Sequence, residues 1–184
     1  GYHGWQDWYI GSTTRDLGVP QSVKELTHKF EYNNIESLEK IFQEQKLACV
    51  IMEPMNIEYP KDDFLKGVKE LAHKNNALFI LDETITGFRY SLGGAQELFG
   101  VTPDLATFGK GMTNGYPLSA VVGSNEVMQK VEDIFFSGTF GGETLSLAAA
   151  SKIIGKYKKE QVIEHFSEVG AYLLEQLNQL IDNK

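Results

Sequence analysis

Two short apolar runs with a helical pattern between them organise the first half of the chain. Residues 47–52 (Leu-Ala-Cys-Val-Ile-Met) are continuously apolar, which predicts a strand buried on both faces. Phe64 to Asn75 carries Phe64, Leu65, Val68, Leu71 and Ala72 at helical spacing, with Asp62 and Asp63 ahead of it as capping candidates. Asn75-Asn76 breaks that pattern, and residues 77–82 form a second apolar strand ending on Asp82. Strand, helix and strand in this order make a βαβ crossover, so the two strands should be parallel. A doubly wound α/β sheet follows, with ligands expected at the carboxyl ends of its strands.

Upstream, Glu36 to Lys46 reads as a helix with Ile35, Leu38, Ile41 and Phe42 facing inward, while residues 11–34 carry no clear period. Downstream, Leu105–Phe108 and Ser119–Gly123 read as short strands. Ser137 to Thr144 is a glycine-rich loop entering an alanine-rich helix (145–158). An amphipathic helix over about 160–182 carries Val162, Ile163, Phe166, Val169, Leu173, Leu177 and Leu180.

With 184 residues, 42% of them hydrophobic, the chain can bury a core of ordinary domain size. A net charge of −8 argues against nucleic acid as a partner, and the short run Lys156–Lys159 reads as a solvated helix end. No apolar stretch approaches the roughly 18 residues that a membrane span needs. Cys49 is the single cysteine, which excludes a disulfide within these residues and a cysteine-rich metal site. Its apolar neighbours predict a buried, inert thiol, and a reducing, cytoplasmic setting fits. His28, His73 and His165 are scattered without metal-ligand spacing.

The chemistry concentrates at Asp82 and Lys110. Asp82 closes a strand, and Lys110 stands between glycines in Thr-Phe-Gly-Lys-Gly-Met (107–112). A carboxylate after an apolar run is also the pattern that holds magnesium in P-loop ATPases. That reading needs a phosphate loop whose lysine is followed by Ser or Thr. Here Gly111 follows Lys110, Asp104 stands where the first glycine belongs, and the lysine comes after the acid. The alternative is an aromatic cofactor bearing an aldehyde, its ring nitrogen paired with Asp82 and its aldehyde bound as a Schiff base by Lys110. Burial would lower the lysine's pKa, and the flanking glycines would leave space for a bulky partner.

Residues 107–121 (Thr-Phe-Gly-Lys-Gly-Met-Thr-Asn-Gly-Tyr-Pro-Leu-Ser-Ala-Val) resemble the lysine motif of the class III pyridoxal-phosphate aminotransferases. Residues 81–89 (Leu-Asp-Glu-Thr-Ile-Thr-Gly-Phe-Arg) resemble their cofactor-nitrogen motif, and the separation of 28 residues (110 − 82) agrees. Residues 93–105 most resemble the glutamate-1-semialdehyde 2,1-aminomutase branch. Tyr2-His3-Gly4 and Glu53-Pro54 fall where the family has an aromatic-His-Gly and a Glu-Pro.

The resemblance implies part of a fold-type I large domain, a mostly parallel sheet flanked by helices. Residues 1–159 would belong to it, and 160–184 would lead toward a small domain beyond them. The family's phosphate-cradling loop would precede residue 1. It also implies roles at pyridoxal 5'-phosphate. Lys110 would form the Schiff base and carry out a 1,3-proton shift, and Asp82 would hold the pyridine nitrogen protonated. Tyr2 would stack on one ring face, Thr84 would lie near the other, and His3 would sit close to the cofactor. Thr139 would reach the phosphate of a neighbouring subunit's cofactor, which implies a homodimer. The local pattern agrees, because Ser137, Thr139 and a helix N-terminus offer hydroxyls and backbone N–H groups to an anion.

Glu53 should lie near the pocket, and Arg89 should salt-bridge a nearby acid or bind a substrate carboxylate. Two departures from the family stand out. Met55 to Pro60 replaces a glycine-containing loop, and Trp5, Trp8 and Tyr9 crowd the opening motif. Both border the expected substrate side. The resulting expectation is amino-group transfer on a small molecule, between two molecules or within one. A catalytically silent homologue or fragment with a structural role is the alternative.

Overall fold

The computed structural model describes residues 1–182, which divide into two compact units. One comprises Gly1–Asp82 with Pro103–Leu105, and the other Glu83–Thr102 with the described residues from Ala106 onward.

The first unit begins with two single-turn helices, α1 (Asp7–Ile10) and α2 (Gln21–Lys24). Helix α3 (Ile35–Glu44) starts where the Asn34 side chain accepts the Ser37 N–H. Strand β1 (Cys49–Met52), helix α4 (Phe64–Lys74) and strand β2 (Leu78–Asp82) then form the expected crossover. The strands are parallel, with Cys49 opposite Leu78 and Met52 opposite Leu81. Neither Asp62 nor Asp63 caps α4 through its side chain; both sit in left-handed backbone, and the turn itself directs the chain into the helix. The helix ends in a Schellman-type arrangement. Asn76 takes left-handed backbone (φ 57°) and donates to His73, while Ala77 donates to Ala72.

Helix α4 buries Phe64, Leu65, Val68 and Ala72 against the strands. The strands answer with Val50, Met52, Phe79 and Leu81, alternate residues that share one face. Each such large side chain contributes about 1.5–3 kcal/mol by leaving water. The opposite face is only partly covered, so β1 is buried on one face rather than two. Cys49 lies on the open face and is exposed, against the expectation of a buried thiol. Neighbouring atoms still desolvate the thiol enough to push its pKa up, which disfavours the reactive thiolate.

Asp104 ties this unit together. Its Oδ2 accepts the Phe79 backbone N–H at 2.7 Å and lies 2.8 Å from His73 Nε2 on α4. Burial pushes the Asp104 carboxyl up, but the hydrogen bonds from Phe79 and His73 outweigh it and hold the pKa below the usual range.

The second unit contains α5 (Ala95–Leu98), most of β3 (Leu105–Phe108), a 3-10 turn at Lys110–Met112, and β4 (Ala120–Gly123) beside β3. Helix α6 (Asn125–Met128), a further 3-10 turn, α7 (Thr144–Lys159) and α8 (Val162–Asp182) complete it. The apolar stripe of α8 forms as expected but is not covered. Phe166, Val169, Leu173, Leu177 and Leu180 are all at least 39% exposed. No described helix is long and apolar enough to cross a membrane.

Because the Asp104 carboxyl is depressed in the folded state, its contribution is present above its unfolded pKa and lost as pH falls through the folded value. Asp104→Ala should therefore cost about 1–3 kcal/mol at neutral pH by stranding the Phe79 N–H. The melting-temperature gap between wild type and variant should narrow as pH falls below the ordinary aspartate value of about 3.9. Thermal unfolding followed from about pH 2 to 7 checks this, and a gap independent of pH would contradict it.

Candidate active site

Within the first unit, Asp82 stands at the carboxyl end of β2, only 7% exposed. His3 meets it across 79 residues of sequence, with Nδ1 2.8 Å from Asp82 Oδ2. The His3 ring is itself held by aromatics. Trp8 stacks on it (centroids 6.2 Å, planes 17° apart), and Tyr9 meets it edge-on at 5.4 Å. Tyr9 donates its hydroxyl to the Gly1 carbonyl at 2.5 Å and packs edge-to-face against Tyr2. Desolvation, with the fields of Glu53 and Tyr2 behind it, pushes the Tyr9 hydroxyl up and keeps it a donor. Tyr2 is 59% exposed. Glu53 is buried at the end of β1, where Oε2 accepts from Asn56 Nδ2 at 2.7 Å. Tyr32 pins the same turn by donating to the Pro54 carbonyl at 2.7 Å.

The second unit carries the lysine. Lys110 takes left-handed backbone (φ 31°) as the chain leaves β3. Its side chain is exposed, not buried as expected, and makes no hydrogen bond or ion pair among the described residues. The flanking glycines serve close packing of protein on protein. A Cβ at Gly111 would approach the Gly87 carbonyl to 3.1 Å, and one at Gly109 would meet Thr84 Cγ2 at 3.4 Å. Thr84 lies beside Thr107, their hydroxyls 3.4 Å apart. Tyr157 donates to the Gly111 carbonyl at 3.1 Å and stacks on Phe88, which in turn packs on Phe108. Sequence reasoning missed Tyr157, because it sits inside the lysine run read as solvent-facing. Its spacing from Ala150, Ile153 and Ile154 was the available signal.

Glu83 fixes the segment that precedes the lysine motif. Fully buried, it accepts from Thr86 Oγ1, from the Ala95 N–H at 2.8 Å and from the Gln96 N–H at 2.7 Å. Gly94 is required there by its φ of +82° and because a Cβ would lie 2.7 Å from the Glu83 carboxylate. Arg89 is not salt-bridged among the described residues; its guanidinium carbon lies 5.8 Å from the centre of the Phe166 ring.

Thr139 lies in the exposed glycine-rich loop, as expected. The α7 N-terminus behind it is already occupied. Glu143 accepts from Ser146 Oγ, the Leu145 N–H and the Ser146 N–H, which hold its carboxyl below the usual range. Any anion at this loop must therefore use the Ser137 and Thr139 hydroxyls and loop amides, not the first turn of α7.

A buried carboxylate at a strand end, an open aromatic ring and an accessible amine are the donor set that a protonated pyridine aldehyde needs. The residues present fit that group. The family model described as "Aminotransferase class-III" matches residues 12–184. The chain belongs to the class III aminotransferases. Pyridoxal phosphate is the cofactor of this family.

Over 173 residues the class III chain is 41% identical to a 3-aminobutyryl-CoA aminotransferase of Cloacimonas acidaminovorans (strain Evry), covering 89% of this chain and 41% of that protein. Over 201 residues it is 38% identical to a glutamate-1-semialdehyde 2,1-aminomutase of Alkaliphilus oremlandii (strain OhILAs), covering 99% and 47%. Among solved structures, the PLP internal aldimine form of the Sphingopyxis sp. MTA144 FumI protein superposes with a TM-score of 0.88 at 27% identity. It covers 97% of this chain and 44% of that one. The chain thus spans less than half the length of these relatives.

Removing the Glu83 carboxylate strands two backbone N–H groups and a hydroxyl in a buried place. Glu83→Ala should cost about 2–4 kcal/mol. Hydrogen exchange should show lost protection at the Ala95 and Gln96 amides first, and unchanged protection there would contradict the assignment.

Proposed function

We propose that the full-length protein transfers amino groups with pyridoxal phosphate, within one substrate molecule or between two. The observation that carries this reading is the buried Asp82 carboxylate at the carboxyl end of β2, hydrogen-bonded to His3 at 2.8 Å. Asp82 would hold a proton on the cofactor's ring nitrogen through a charge-assisted hydrogen bond of about 1.5–3 kcal/mol. His3 would orient the carboxylate, so its place is one step back from the ring and not on it. Tyr2 would stack on one face of the ring, and Thr84 would close the other. Bound there, pyridoxal phosphate supplies an aldehyde for a Schiff base and a protonated ring that withdraws electrons.

Lys110 would use Nζ twice, first to tether the cofactor and then to move a proton between the substrate α-carbon and the cofactor's C4′. Its exposed amine, without a hydrogen bond or ion pair among the described residues, supports that role. Thr139 would donate its hydroxyl to the phosphate of a partner subunit's cofactor in a homodimer; its place in an exposed loop supports this. The substrate is a small amine or carbonyl compound, and the reaction suits a cytoplasmic setting.

The test uses the full-length protein with added pyridoxal phosphate. Glutamate-1-semialdehyde turned over without any keto acid marks an aminomutase. Turnover only when an amino donor and a 2-oxo acid are both supplied marks a transaminase. No visible band from lysine-bound cofactor, and no turnover, would overturn the proposal in favour of a silent homologue. Lys110→Ala should lose the band and activity together. Asp82→Asn should keep the band but lower kcat by about 10²–10³-fold, the usual cost of removing one preorganised electrostatic contact.

A further inference from the structure

At the carboxyl ends of β1 and β2 a histidine stands between two buried acids. His3 uses Nδ1 on Asp82 Oδ2 at 2.8 Å. Its other ring nitrogen faces the first residue of the chain and the second acid. A Cβ on Gly1 would lie 2.7 Å from His3 Nε2 and 3.3 Å from Glu53 Oε2, so a residue without a side chain keeps the space between them open. His3 and Glu53 share no direct hydrogen bond or ion pair among the described residues. Two polar atoms that flank one such point are spaced for a bridge by a single water.

Water has a route to this point. Gly1, His3 and Glu53 stand in the wall of a cavity of about 620 Å³, which Trp8 and Tyr9 line from the aromatic opening and Asn56 from the replaced loop. Glu53 is only 7% exposed, and Asn56 is its hydrogen-bond partner. A carboxylate offers about four acceptor sites, so one amide leaves much of its desolvation cost unmet. The other charged groups of the cavity are engaged elsewhere. Glu58 lies 3.9 Å from Lys61, and Lys29 donates to the Ser12 carbonyl at 2.5 Å. The Tyr9 hydroxyl donates to the Gly1 carbonyl. Glu53 is therefore the acid on the Nε2 side of the ring.

An ionised Asp82 only accepts, so its contact with His3 requires a proton on Nδ1. Which nitrogen of a neutral imidazole holds the proton is set by what the other nitrogen meets. A water that gives one hydrogen to the Glu53 carboxylate has its second hydrogen for Nε2, which must then be bare. Trp8 and Tyr9 already limit how the ring can turn, so what remains to be fixed is the tautomer.

We propose that Glu53 is a positioning residue for amino transfer: through one bridging water it holds His3 in the Nδ1–H form, and His3 in that form keeps Asp82 aimed as an acceptor at the cofactor's ring nitrogen. This inference rests on the amino-transfer reading and adds to it a residue that acts two steps from the ring. Along the chain from Glu53 through water and His3 to Asp82, each donor meets an acceptor.

The test is the ring nitrogen spectrum of the full-length protein carrying 15N-histidine, with His3 assigned by comparison with His3→Asn. It is recorded at about pH 8.5, well above the ordinary histidine value of about 6.5, and needs no cofactor. Wild type should show a protonated Nδ1 and a bare Nε2, and Glu53→Leu should lower the Nδ1–H fraction by about twofold or more. A wild-type ring protonated on Nε2, or a fraction unchanged in Glu53→Leu, would overturn the proposal. Should Glu53→Leu fail to fold, Glu53→Gln carries the same comparison under the same criteria, because its amide can turn an N–H as well as a carbonyl to the water. In the holoprotein the folded variant should keep the cofactor band and a substrate KM within about twofold, while kcat falls by about tenfold or more. A kcat equal to that of wild type would overturn the positioning role. Absence of the cofactor band in wild type would overturn the amino-transfer reading instead, and the histidine spectrum would still decide the chain from Glu53 to Asp82.

Discussion

Two consecutive carboxylates, Asp82 and Glu83, are buried where β2 ends, and much of the candidate site follows from satisfying them. A buried carboxylate is tolerated only with hydrogen-bond donors around it. Glu83 recruits Thr86, Ala95 and Gln96, and in doing so fixes the path of the segment that leads from the strand. Asp82 recruits His3, which brings the opening residues of the chain to the carboxyl end of β2. One acid serves architecture, and its neighbour is the residue on which the proposed function rests.

The aromatic residues of the first unit act on that same pair. Trp8 and Tyr9 limit the orientations open to His3, so Asp82 is held by a donor that is itself held. Positioning of this kind matters because an electrostatic contact aids a reaction only when it needs no rearrangement at the moment of reaction. In the second unit the lysine turn is supported in a comparable way. Gly87 and Gly111 allow close backbone approach, and Tyr157 reaches the Gly111 carbonyl from α7. The scaffold around Lys110 is packed while its amine stays open.

Several features were legible in the amino-acid order because their causes are local. The apolar runs 47–52 and 77–82 hold β1 and β2, and Asn75-Asn76 ends α4 because asparagine enters left-handed backbone readily. Burial was read less well. Cys49 and Lys110 were expected to be buried, and both are exposed. A period shows which residues share a face, but coverage depends on what another part of the structure brings against it. The α7 N-terminus is a further case. Glycines and hydroxyls suggested an anion site there, whereas Glu143 supplies the carboxylate from within the chain.

By itself, the sequence determined the element types, the parallel crossover and the residue types able to serve an aldehyde cofactor, Asp82 and Lys110 first among them. These depend on periodicity, turn chemistry and functional groups, which are properties of short stretches. Tertiary structure alone decided that His3 hydrogen-bonds Asp82, that Tyr157 supports the lysine turn, and that residues of the aromatic opening and of the altered 55–60 loop line one cavity. Those pairings join residues tens of positions apart. Their partners are chosen by packing and by the need to satisfy buried polar groups, and a single chain read in order carries no direct record of either.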